Sequence, residues 1–177
     1  PDEERLVPPF GISYYNQDKG APAPKNRRNL DMNVRNVNLQ AFWMQVDEWA
    51  LQQALKNKDT WFKDGITDDL IRATYKPLLS FDKKNKDYPP LLRTKVNFNG
   101  HKPVLVFATK EDNSRPVKKT PSDVENYSDL MVVVELSNFW WMSSEWGVVV
   151  LTTDIVMFPK ATGPSGIEGF DWGSSTI

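Results

Sequence analysis

The sequence predicts a mainly β domain with helices inserted between its strands, most simply a small antiparallel barrel or sandwich. Three observations carry that prediction. Apolar and polar residues alternate in several short runs, as at residues 30–35 and 92–98, which is the period of a half-buried strand. Only one long stretch, residues 39–58, shifts to helical spacing. Thirteen prolines in 177 residues cut the chain into short elements. The length suits one domain, expected over residues 1–160, followed by a flexible tail at 161–177.

Pro8-Pro9-Phe10-Gly11-Ile12-Ser13-Tyr14-Tyr15 reads as an extended entry and a short strand, and residues 16–29 as a loop ending in Lys25-Asn26-Arg27-Arg28. Leu30, Met32 and Val34 then alternate with Asp31, Asn33 and Arg35, the pattern of a strand with one buried face. Over residues 39–58, Phe42, Val46, Trp49, Ala50 and Ala54 share one helical face, so Trp49 is expected in the core, with Trp43 beside that face. Thr67 followed by Asp68 and Asp69 marks the start of a shorter helix, where acids meet unpaired backbone N–H groups, and Pro77 stops it. This makes the aspartate pair a cap rather than a metal site.

After Pro89-Pro90, Leu92, Thr94, Val96 and Phe98 alternate with Arg93, Lys95 and Asn97. Asn99-Gly100 is a two-residue hairpin signal leading to a strand at residues 103–109. Residues 110–128 read as a polar loop without a core-forming pattern. Two strands follow, at 130–140 and 146–158, the second long enough to require a bend or a bulge. Six short strands and two helices fit the oligonucleotide-binding (OB) barrel, a partly open five-stranded member of the class.

Several functions are excluded by composition. The chain has no cysteine, hence no disulfide framework, thiolate metal site or cysteine nucleophile, and a single histidine, His101. It carries no phosphate loop, dinucleotide glycine pattern or metalloprotease helix, and no cofactor or metal is expected. No apolar run approaches the ~20 residues of a membrane span, and the charged opening Pro1-Asp2-Glu3-Glu4-Arg5 is not expected to be a secretory leader. A non-enzymatic protein is the expectation.

The formal charge of −1 conceals a polarised chain. Residues 76–119 hold 11 basic against 4 acidic residues, or +7, whereas residues 120–177 hold 1 against 8, or −7. A basic middle points to a polyanion partner, and otherwise to a solvated surface. The same region is rich in aromatics, and seven tryptophans are many for this length. Cations that track phosphates, beside rings on which bases stack, are what sequence-tolerant single-strand binding needs. Arg93 and Lys95 share the polar face of their strand. Phe139 and Trp141 share the parity of Glu135 and Ser137, and Trp146 shares that of Thr152 and Asp154, so all three rings are expected on solvent faces around one turn. They form either a stacking platform or a plug closing one end of the barrel. Lys25, Arg27, Arg28, Lys83, Lys84 and Lys86, the last beside Tyr88, with Lys102 near the hairpin, form a second group of cations.

The order of these pieces resembles the single-stranded-DNA-binding proteins of nucleocytoplasmic large DNA viruses, notably those of algal and giant viruses. The resemblance rests on Pro9-Phe10-Gly11-Ile12-Ser13, Asn29-Leu30-Asp31-Met32-Asn33-Val34, Asn57 to Trp61-Phe62, Tyr75-Lys76-Pro77-Leu78, Asp87-Tyr88-Pro89-Pro90 with Leu92-Arg93-Thr94-Lys95, and Trp140-Trp141 before Trp146-Gly147. It implies an OB-type domain that coats displaced strands in DNA replication, recombination and repair, inside the cell at the site of replication. It also implies roles for Tyr88, Lys95, Trp140 and Trp146. The chain departs from that pattern in its basic insertion at 110–119 and in having only Lys160 as a cation near the last strand. The acidic, aromatic tail is similar to those with which replication proteins of this type dock partners, and a homo-oligomer is compatible with it.

The sequence therefore favours nonspecific single-stranded-DNA binding, with phosphates on Arg93 and Lys95 and bases on Trp141, Trp146, Phe139 or Tyr88. A carbohydrate-binding sandwich, which gives no reason for the basic block, and a structural or assembly protein, which would use the exposed aromatics in protein contacts, are the alternatives.

Overall fold

The computed structural model describes residues 5–13, 27–98, 102–110 and 115–159. Among the described residues nine strands form one sheet. They are β1 (Ile12–Ser13), β2 (Arg27–Asn33), β3 (Tyr75–Lys76), β4 (Leu79–Ser80), β5 (Leu91–Asn97), β6 (Leu105–Ala108), β7 (Val117–Lys119), β8 (Asp129–Trp141) and β9 (Trp146–Phe158). Three helices, α1 (Val37–Lys56), α2 (Lys58–Trp61) and α3 (Asp68–Thr74), fall between β2 and β3. The mainly β class with inserted helices is as the sequence predicts.

The expected OB-like antiparallel barrel is met only in part: the sheet does not close and is not wholly antiparallel. The main path runs β1-β2-β5-β9-β6-β7, and among the described residues no pairing joins its two ends. The sheet is also mixed. β8 lies antiparallel along one edge of β9, while β3, β5 and β6 pair in turn with the other edge, all parallel to β9. A 13-residue strand is long enough to serve three short neighbours in succession.

Local chemistry sets the element ends. Asn36 caps α1, its Oδ1 accepting from Asn38 N at 2.8 Å and Leu39 N at 3.1 Å. Thr67 caps α3 by accepting from Leu70 N at 3.2 Å, as expected, and Asp68 pairs with Lys58 at 2.7 Å. α2 has no counterpart in the sequence reading. Residues 110–128, read as a plain loop, contain β7, a 3-10 turn at Pro121–Asp123 and the buried Val124. The Asn99-Gly100 hairpin signal, His101 and the tail lie outside the described residues.

The core lies between the helices and one face of the sheet. Leu30 and Met32 of β2, Leu92 and Val96 of β5, and Trp146, Val150 and Ile155 of β9 meet Trp43, Ala50 and Ala54 of α1 and Ile71 of α3. Two buried threonines are satisfied within it: Thr152 Oγ1 donates to Thr94 Oγ1 at 2.8 Å, and Thr94 Oγ1 donates to Leu30 O at 2.8 Å. Asp47 ties α1 to the sheet by accepting from Tyr75 OH at 2.6 Å and Leu78 N at 3.0 Å. Burial raises the Asp47 carboxyl above its ordinary value, and these bonds oppose the rise. Burial, with Asp47 alongside, pushes the Tyr75 phenol up. α1 buries a narrower stripe than its pattern predicts: Phe42 and Trp49 are exposed, and Trp49 stacks on Phe139 with centroids 6.1 Å apart. Among the described residues no helix is long and apolar enough to cross a membrane.

Candidate nucleic-acid interface

Strand partners in register point to the same side of a sheet, so the register sorts every candidate residue onto the helix-covered face or the open one. Trp146 lies opposite Trp141, and Phe139 opposite Val148, on the covered face. Trp146 is 1% exposed, and its indole N–H donates to Ile71 O at 2.8 Å. Its ring packs between Phe62 and Tyr75, at centroid distances of 5.6 and 4.7 Å. The solvent-face reading of Trp146 is therefore corrected: it is a core residue. Phe139 is half-buried against Trp49 and Trp61, and only Trp141 of the three remains exposed. These rings close the end of the sheet against α1 and α2.

Two bulges account for the misreading. Between Val133 and Val134 of β8, β9 steps from Asp154 to Thr152, so Thr153 is an extra residue there. Thr152 thus faces the core while Asp154 faces out, and the two cannot mark one polar face. Between Leu136 and Asn138 the extra residue is Ser137, which reverses the parity running from Glu135 to Phe139 and Trp141.

The open face carries the residues of opposite parity. Across four strands Asn29, Lys95, Leu151 and Glu135 stand in one row, and Asp31 and Arg93 in the next. Trp140 lies opposite Gly147 on this side. A Cβ built on Gly147 would come 3.0 Å from the indole Nε1 and 3.1 Å from Cε2 and Cζ2, so the half-buried ring lies across the glycine. On the other edge of β9, Lys76 is the register partner of Gly147. The open face therefore combines one broad indole with Lys76, Arg93, Lys95 and Lys102. Val149 and Leu151 form a buried apolar floor between them, outside the main core cluster.

Folding interleaves the two charge blocks that the sequence keeps apart. Lys102 pairs with Glu135 at 3.0 Å and Lys76 with Glu145 at 2.8 Å, while Lys95 Nζ donates to Asn29 Oδ1. Asp31 stands opposite Arg93. Burial raises its carboxyl above the ordinary carboxylate value, and the charges of Arg93 and Lys95 oppose that rise. Exposed ion pairs of this kind contribute ~0–1 kcal/mol, so the lysines can exchange a carboxylate for a phosphate at little cost.

The remaining predicted residues are scattered. Arg28 is the register partner of the buried Val96, which puts it on the covered face, with its guanidinium 4.2 Å from the Phe98 ring centroid. Arg27 occupies the β2 position opposite Asn97, and Lys25 lies outside the described residues. Lys83 and Lys84 are exposed in a loop shaped by Asp82, whose Oδ1 accepts from Lys84 N at 2.6 Å and Asn85 N at 2.8 Å; these bonds hold its carboxyl below the usual range. Tyr88, 61% exposed, borders a depression of about 540 Å³ with Arg35, Phe81 and Lys86. That depression sits where β5 begins, beside the end of β2. The sequence reading missed Arg35, Phe81, Lys76 and Gly147. Phe81 and Tyr88 flanking Lys83, Lys84 and Lys86 was the signal available for Phe81, whereas Arg35 joins them only in the fold. Among the described residues no group of three histidines or carboxylates could hold a metal ion.

No family model matches the chain, and no curated protein matches it by sequence. Its fold is similar to that of the single-stranded DNA-binding protein from bacteriophage Enc34, with a TM-score of 0.50 at 8% identity over 87% of this chain and 77% of that one. It is also similar to gp2.5, a single-stranded DNA-binding protein encoded by bacteriophage T7, with a TM-score of 0.50 at 14% identity over 92% and 91%. The shared feature is the fold. The likeness fits an OB-like α+β fold whose sheet is not closed among the described residues.

Proposed function

We propose that the protein binds single-stranded DNA without sequence preference across the open face of the sheet, acting as a coating protein and not as an enzyme. The observation that carries the reading is the indole of Trp140 laid across Gly147 on the face that also bears Arg93 and Lys95. Bases stack on Trp140, while phosphates run past Lys76, Arg93, Lys95 and Lys102. The strand continues toward the β4–β5 loop, where Lys83, Lys84, Lys86 and Tyr88 are exposed. The fold likeness to two phage single-stranded-DNA-binding proteins supports the class of ligand. The motif order supports a place in replication, recombination and repair of the large-DNA-virus kind. Partner docking through the tail and self-association belong to the same proposal.

Titration with oligo-dT over a range of salt concentrations tests the reading. Affinity falls as salt rises, with a log–log slope of about −0.7 per phosphate neutralised. Replacing Arg93 and Lys95 with Glu removes most of the affinity and flattens the slope. Tight binding that salt does not change would refute the reading and favour a sugar-stacking surface instead.

A further inference from the structure

The open face runs on past the ends of its strands. Asn33 and Leu91 are its last register pair on β2 and β5 and share the parity of Asp31 and Arg93. Arg35 and Pro89 stand two residues beyond them. Val34 N donates to Pro90 O at 2.9 Å, and Gln40 Nε2 donates to Val34 O at 2.8 Å, which holds the two segments side by side there. The depression of about 540 Å³ bordered by Tyr88 lies at this end, within the ~300–1,000 Å³ of a ligand-sized cleft. Pro89, which lines it, is about 13 Å along the chain from Arg93 at ~3.3 Å per residue.

Its lining decides what it suits. Phe81 is 56% exposed and Tyr88 61%, and among the described residues neither ring packs on another aromatic. Three charged residues line the depression: Arg35, Lys86 and Asp87. Arg35 and Lys86 are exposed, and among the described residues neither has an ion-pair partner, unlike Lys76 and Lys102. Asp87 therefore neutralises neither of them directly, and the nearby Asp82 carboxylate is occupied by Lys84 N and Asn85 N. Two unpaired cations beside two uncovered ring faces suit a phosphate joined to a flat base. A neutral sugar would leave the cations idle.

We propose that this depression is a second nucleotide site, which holds one base against Phe81 and Tyr88 and the attached phosphate on Arg35 and Lys86. The proposal rests on the single-strand reading and adds a second aromatic anchor to it. Trp140 is on β8 and the depression lies beyond the ends of β2 and β5, so the path between the anchors crosses β9. From β8 to β2 that is about three strand spacings of ~4.8 Å. The strand is then gripped at two places, with Arg93 and Lys95 between them. Pro89 and Pro90 fix one wall in advance, so little ordering opposes binding.

The test is anisotropy with the full chain on two labelled strands of equal length, oligo-dT and an abasic oligonucleotide that keeps the phosphates and lacks the bases. Tyr88→Ala and Phe81→Ala, both at exposed positions, each weaken oligo-dT about 5- to 140-fold. They leave urea unfolding, the salt slope and binding of the abasic strand unchanged. Arg35→Gln weakens both strands and lowers the salt slope by about 0.7, the value of one phosphate contact. The losses from Tyr88→Ala and Trp140→Ala multiply, because the two rings are far apart. Oligo-dT binding that needs Trp140 but ignores Phe81 and Tyr88 would overturn this proposal and leave the single-strand reading standing. Equal losses on the abasic strand would also overturn it, since the rings would then not be holding a base. Failure of the unaltered protein to bind oligo-dT would remove the single-strand reading and this site with it.

Discussion

Trp140 and Trp141 are adjacent in sequence and point to opposite faces of the sheet, so replacing each in turn separates the open face from the covered one. Trp140→Ala removes the ring that lies over Gly147. Stacking of a base on an aromatic contributes ~1–3 kcal/mol, which at ~1.4 kcal/mol per decade weakens oligo-dT binding about 5- to 140-fold. Trp141→Ala removes edge contacts to Trp61 and Phe62, each worth ~0.5–1.5 kcal/mol. It therefore lowers stability and leaves affinity for oligo-dT unchanged. Anisotropy with a labelled oligonucleotide at fixed salt reads the affinity, and urea unfolding reads the stability. A folded Trp141→Ala protein that loses as much affinity as Trp140→Ala, or more, would refute the assignment of faces.

Three further outcomes follow from the same geometry. Gly147→Ala places a methyl 3.0 Å from the Trp140 indole, so the ring shifts by a few tenths of an ångström; oligo-dT affinity drops by less than in Trp140→Ala, as a salt-matched titration would show. Asp31, raised by burial and opposed by Arg93 and Lys95, loses its charge as pH falls through its elevated folded value. Below that value DNA binding tightens, and the folded state, which takes up the proton more readily than the unfolded chain, gains stability. Asp31→Asn reproduces the tighter binding at neutral pH and removes its pH dependence, and an Asn variant that binds more weakly than wild type would contradict this. Tyr75→Phe deletes the phenol that donates to Asp47 at 2.6 Å. Hydrogen bonds to a charged group contribute ~1.5–3 kcal/mol, so urea denaturation should show a loss of that size with oligo-dT affinity intact.

What the sequence discloses is local. The alternation of Leu30 and Met32, and of Leu92, Thr94 and Val96, is enough to place β2 and β5 and to put Arg93 and Lys95 on the outward face, because a two-residue period needs no knowledge of the partner strand. The Thr67 cap is legible for the same reason. Trp49 fails because α1 meets the sheet along the line of Trp43, Ala50 and Ala54, and a helix pattern does not say how wide a stripe the neighbour will cover. Trp146 fails because one inserted residue in a strand turns over every side chain beyond it, and neither Thr153 nor Ser137 differs in type from an ordinary strand residue. The parallel pairings of β9 with β3, β5 and β6 join residues far apart in the chain, and no local signal encodes them. The division of charge into a basic middle and an acidic end is plain in the sequence, yet its pairing through Lys102–Glu135 and Lys76–Glu145 exists only in the fold.

The most direct test is photocrosslinking of the full chain to an oligonucleotide carrying 5-iododeoxyuridine, with the attachment site read by tandem mass spectrometry. Attachment at Trp140, on the face of Arg93 and Lys95, is the predicted result. Attachment at Trp141 or Met142, with Trp140 unmodified, would put the bases on the other side of the sheet and contradict the account.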